Sequence, residues 1–122
     1  MINIKMVVVA VALMVLMLAP LTVVHASFQC DGSVSRVGIA QTGRVSVVST
    51  ALFPDGEGRD VCNLYTPFKG VSVSTCRGWL GILMVAQVSN RSVSIQYTND
   101  AYSCSTLPTW ENALAPWAIY AN

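Results

Sequence analysis

Four cysteines in a chain of 122 residues constrain this fold more than any other feature: Cys30, Cys62, Cys76 and Cys104. An even count reads as two disulfides when a small domain is exported to an oxidising compartment. The N-terminus points to export. Lys5 supplies a positive charge ahead of an apolar run over residues 6–21. Pro20 lies near its end, and Val24-His25-Ala26 offers a cleavage motif. This is the layout of a cleaved signal peptide over 1–26, with a secreted or periplasmic domain over 27–122. The competing reading is a retained anchor, since residues 6–24 approach the roughly 20 needed to span a bilayer. The motif and the polar start of the following chain favour cleavage. No later segment is apolar enough to span, so no stable membrane span is expected after cleavage.

A domain of this size buries only about 60–65% of its unfolded surface, so crosslinks matter to its stability. Three pairings of the cysteines are open. The expected one joins Cys62 to Cys76, closing a short loop, and Cys30 to Cys104, tying the start of the domain to the approach of its last strand. A zinc site is the alternative for four cysteines. It is disfavoured by the lack of a close Cys-x-x-Cys pair and of any histidine after His25, so no metal and no cofactor are expected.

The charges after the leader are balanced. Lys69, Arg36, Arg44, Arg59, Arg77 and Arg91 oppose Asp31, Asp55, Glu57, Asp60, Asp100 and Glu111. They are scattered along the chain, which argues against nucleic acid and against anionic lipid as partners.

Hydrophobic periodicity predicts five strands and one helix. Residues 33–40 read as a strand, although Val34 sits on the opposite phase from Val37 and Ile39, which a bulge would reconcile. Gln41-Thr42-Gly43 is a turn into a second strand over 44–52. Pro54-Asp55-Gly56-Glu57-Gly58 is the strongest loop signal. A third strand covers 59–65 and a loop covers 66–70. Residues 74–89 carry Trp79, Leu80, Leu83, Ala86 and Gln87 at helical spacing, with Ser74 or Thr75 as cap and Asn90 as stop. The cleanest strand is 91–98, where Val93, Ile95 and Tyr97 alternate with Ser92, Ser94 and Gln96. A long connection follows over 99–115, then a last strand over 117–121. The expectation is a β-rich, α+β domain: a small five-stranded barrel of the oligonucleotide/oligosaccharide-binding (OB-like) kind, with its helix between strands three and four.

Catalytic chemistry is poorly supplied, and the reading is non-enzymatic. Without histidine there is no Ser-His-Asp or Cys-His arrangement, and no serine has a visible base. Asp55, Glu57 and Asp60 read as a solvated turn rather than a fixed carboxylate pair. Asn90-Arg91-Ser92 matches a glycosylation sequon but fits a helix stop better. The loop aromatics Phe53, Tyr102 and Trp110 are the candidate binding residues, because aromatics beside Asn and Ser suit sugar or protein contact surfaces.

One stretch carries a family resemblance. Cys62 ends a hairpin region, Cys76 precedes the helix and Trp79 opens it. Ala86 lies near its end, and Ser89-Asn90 leads into Val93-Ser94-Ile95-Gln96-Tyr97. This stretch, 61–97, resembles the receptor-binding B subunits of pentameric-B bacterial toxins of the subtilase-cytotoxin and typhoid-toxin type. The resemblance implies a ring of five identical subunits and recognition of host glycans. No binding residue is carried over, because the sugar-contacting positions have no counterpart here. The functional expectation is a secreted binding module for a glycan or protein ligand. The alternative is a monomeric periplasmic accessory or inhibitor protein that presents the rigid loop 53–58.

Overall fold

The computed structural model describes residues 27–122; the leader reading over 1–26 lies outside them. Six strands and one helix follow in the order β1 (Phe28–Ser33), β2 (Arg36–Ile39), β3 (Arg44–Val48), β4 (Arg59–Asn63), α1 (Val73–Ser89), β5 (Ser92–Tyr97) and β6 (Ala118–Ala121). They form two antiparallel three-stranded sheets, β1-β5-β6 and β2-β3-β4.

The fold is β-rich with one helix and two disulfides, but six strands in two sheets replace the expected five-stranded barrel. No named strand of one sheet pairs with the other, so the described strands do not close into a barrel. The extra strand is β1, whose sequence Phe-Gln-Cys-Asp-Gly-Ser lacks the branched residues that signal a strand. Its partner supplies what its composition lacks. Phe28 lies opposite Tyr97 and stacks on it at 5.0 Å, and Cys30 lies opposite Ile95. The phase conflict at Val34 also finds its cause here. No bulge is needed, because the chain leaves one sheet after Ser33 and joins the other at Arg36, with Val34 buried at the crossing.

The core lies where the sheets and α1 meet. Val45 and Val47 of β3, Val61 of β4, and Val93, Ile95 and Tyr97 of β5 are fully buried. Cys76, Trp79, Leu83 and Ala86 form the inward stripe of α1, spaced three or four residues apart. The helix is capped by Ser72 rather than Ser74 or Thr75; its hydroxyl accepts from the Thr75 amide at 3.1 Å. Asn90 ends it in the left-handed conformation (φ 55°, ψ 37°), as its sequence position suggested.

Both disulfides form in the expected pairing, Cys62–Cys76 and Cys30–Cys104. The first fastens β4 to α1 and the second fastens the segment before β6 to β1. By loop-closure entropy, separations of 14 and 74 residues correspond to about 3 and about 4.4 kcal/mol. Disulfides of this kind fit an oxidising compartment. Among the described residues no helix is long and apolar enough to cross a membrane.

Candidate functional site

A two-residue turn sets one wall of a groove beside α1. Phe68 and Val71 exchange backbone hydrogen bonds (3.0 and 2.9 Å) around Lys69 and Gly70, both left-handed at φ 46° and 86°. Those angles belong to the tight hairpin turn for which glycine is favoured at the second position. The turn throws the Lys69 side chain across to the segment before β6, where its ammonium donates to the carbonyls of Glu111 (2.9 Å) and Ala113. That bracing holds the opposite wall, Ala115-Pro116-Trp117. The Trp117 amide donates to the Gln96 carbonyl at 2.7 Å, which anchors its backbone to β5.

Between these walls lies a groove of about 440 Å³. Trp79 forms part of its lining, along with the hydroxyl-bearing Ser72, Thr75 and Thr98, the Lys69 side chain and Trp117. The Trp117 indole is 68% exposed. No carboxylate lines the groove. An exposed indole beside several hydroxyls and one ammonium suits a polyol: aromatic faces take C–H edges of a sugar ring while hydroxyls fix orientation.

A second hollow of about 260 Å³ lies over β2 and β3, lined by Arg36, Gly38, Ile39, Arg44, Ser46 and Trp110 among others. Trp110 is held there by an unusual backbone. At φ 50° it bridges β4 as a lone strand residue, its amide donating to the Gly58 carbonyl at 2.7 Å and its carbonyl accepting from the Asp60 amide at 3.2 Å. Its indole N–H donates to Glu57 at 3.3 Å. The ring lies so close to Gly58 that a methyl group there would overlap it. Trp110 thus stands 39% exposed on a fixed seat.

The other two loop aromatics take different places. Phe53 is fully buried, so it is corrected from a surface contact to a core residue: the Arg59 guanidinium lies 4.8 Å over its ring and closes it off from solvent. Tyr102 is 37% exposed, two residues before Cys104, whose disulfide holds that stretch against β1. Neither Tyr102 nor Trp110 lines the larger groove. The groove residues Lys69, Ser72, Thr75, Thr98 and Trp117 escaped the sequence reading. The sequence places Trp117 in the last strand, and the hydroxyls carry no local signal.

Of the carboxylates read as a solvated turn, Asp55 and Glu57 are exposed, whereas Asp60 is buried. Asp55 receives both terminal nitrogens of the buried Arg59 (2.8 and 2.7 Å), and Arg59 also donates to the carbonyls of Glu57 and Leu107 (2.8 Å each). The Arg59 hydrogen bond holds the Asp55 carboxyl below its ordinary range, against an opposing push from burial. Asp60 is buried on β4; its Oδ1 accepts from the Ser46 hydroxyl at 2.6 Å, and its Oδ2 lies 3.2 Å from Arg44 without hydrogen-bond alignment. Arg44 also pairs with Glu111. These carboxylates knit the 53–58 turn and the segment after Leu107 onto β3 and β4. Burial among apolar neighbours raises the Tyr97 phenol well above its usual range, with the Arg59 charge opposing, and its hydroxyl has no hydrogen-bond partner among the described residues. No protein-family model, curated protein or solved structure gives a match to this chain.

Proposed function

We propose that the chain is a secreted, non-enzymatic binding module that recognises a glycan, in the manner of a toxin-type B subunit. The observation that carries this reading is the groove beside Trp117, which sets an exposed indole among Ser72, Thr75 and Thr98 with Lys69 at its rim. Its volume suits one or two sugar rings, and its walls are tied by the Phe68–Val71 turn and the Lys69 bridges. Among the described residues the sheets end in β1 and β6 and in β2 and β4, and none of these strands pairs with a named strand on its outer side. On this proposal they meet neighbouring copies in a ring, and the two sheets are an opened form of the OB-like barrel.

The test is a glycan array probed with the oxidised 27–122 protein, beside native mass measurement. Binding of a defined glycan that weakens about three- to tenfold in Trp117→Ala supports the proposal, in line with the worth of one aromatic contact. An array with no glycan bound by the disulfide-intact protein overturns it. The accessory or inhibitor alternative draws on the 53–58 turn, which Arg59 braces internally. A strict monomer, captured by a periplasmic partner through Pro54 and Glu57, is the outcome that favours it.

A further inference from the structure

Helix α1 is apolar on both sides, and only one side is covered. Its inward stripe is Cys76, Trp79, Leu83 and Ala86. On the opposite side Ser74, Arg77, Gly78, Gly81, Met84, Val85 and Val88 share one face of the helix, and all are exposed. Met84, Val85 and Val88 are 50%, 67% and 87% exposed, and a methyl group at Gly78 or Gly81 would meet nothing within 4 Å. Three apolar side chains in the C-terminal half of the helix are thus left to solvent.

The one charged residue on this stripe is Arg77. No aspartate or glutamate occurs between Asp60 and Asp100, and the charged residues in that stretch are Lys69, Arg77 and Arg91. Lys69 precedes the helix, Arg77 lies on the exposed stripe and Arg91 follows the Asn90 cap. Neither Arg77 nor Arg91 has an ion-pair partner among the described residues. Charges dispersed over the whole sequence argue against an anionic partner, but the exposed stripe of α1 sets Met84, Val85 and Val88 beside the unpaired Arg77.

We propose that the exposed face of α1 docks on an anionic lipid surface, independently of the glycan reading. Val85, Val88 and Met84 enter the headgroup boundary, while the long side chain of Arg77 reaches back to lipid phosphates. Charge complementarity selects this occupant over a second copy of the chain. A second copy would present the same stripe, which holds no carboxylate to pair with Arg77.

The test uses oxidised 27–122 protein, which contains every described strand, α1 and both disulfides. Flotation with phosphatidylcholine vesicles is compared with flotation on vesicles in which about a third of the lipid is phosphatidylglycerol. The expected result is association with the anionic vesicles alone, weakened about fivefold by Arg77→Gln, the worth of one cation at such a surface. Val85→Asp and Val88→Asp, separately and together, remove it. Both residues are solvent-facing, and a circular dichroism melt confirms that each variant folds; Val88→Asp alone suffices if the pair does not. Equal association with neutral vesicles, no association, or association unchanged in folded Val88→Asp overturns the proposal. So does a concentration-dependent oligomer in sedimentation that Val88→Asp dissolves, which assigns the face to a second copy. Because no groove residue is altered, glycan binding persists in these variants, and the two proposals fail separately.

Discussion

Replacing Asp55 by alanine is expected to destabilise the domain by about 3 kcal/mol, the lower end of the range for removing one partner of a buried ion pair. Sequence spacing alone suggests far less, because an i,i+4 pair on a loop resembles a surface salt bridge of about 0.3–0.5 kcal/mol. The structure reverses that estimate through asymmetry of burial. Asp55 is 37% exposed, whereas Arg59 is 0% exposed and has lost its hydration. Without Asp55 the guanidinium keeps two carbonyl acceptors, on Glu57 and Leu107, but no countercharge. Water entering at the exposed Asp55 position moderates the loss. The complementary change, Arg59→Met, leaves a carboxylate that solvent readily rehydrates. Its cost is the buried Leu107 carbonyl left without a donor, about 1–3 kcal/mol. In that background Asp55→Ala costs less than about 1 kcal/mol, since no cation remains to be orphaned. Urea unfolding with the disulfides intact measures all four corners of this cycle. The pH dependence follows the same pair. Arg59 depresses the folded-state pKa of Asp55 below its unfolded value, so the contribution is complete above about pH 4 and drains away as pH falls through the folded value. Asp55→Ala therefore flattens the acid limb of the stability curve. A loss below about 1 kcal/mol for Asp55→Ala in the native background, with an unchanged acid limb, refutes the argument that burial of Arg59 sets the energy.

Two further outcomes follow from the same packing. Gly58→Ala forces the Trp110 ring from its seat, at about 1–3 kcal/mol for overpacking, and shifts Trp110 emission to the red; an unchanged spectrum and stability contradict the close approach. Mild reductant without denaturant opens Cys30–Cys104 before Cys62–Cys76, because Cys104 is partly exposed whereas Cys62 and Cys76 are both 0% exposed. Alkylation and mass mapping read the order, and earlier labelling of Cys62 or Cys76 contradicts it.

Local chemistry made part of this fold legible in the chain itself. Strand β5 announces itself through strict alternation, and α1 through the spacing of Trp79, Leu83 and Ala86 and the Asn90 stop. The β2–β3 hairpin shows through its glycine turn. Of the three open cysteine pairings, the short 14-residue span from Cys62 to Cys76 favours the one that forms. These signals depend on a residue and its near neighbours, where 3.6- and 2-residue periods act. Strand β1 was not legible, since its residues become a strand by pairing with β5, more than sixty positions away in the register Phe28 to Tyr97. Phe53 and Trp117 show the same limit for the candidate site. Both are aromatics beside proline, yet Arg59 lies over one and the other remains open. That difference depends on burial by distant segments, as does the groove drawn from residues 69–79, 98 and 115–117. The amino-acid order alone determined the helix and the β-rich character, because each is encoded within one or two turns or strands, whereas Cys30 and Cys104, 74 residues apart, are brought together by the fold. Only the tertiary arrangement decided how many strands pair, which aromatics meet solvent and which face of α1 stays uncovered, because solvent exclusion is a property of the assembled surface.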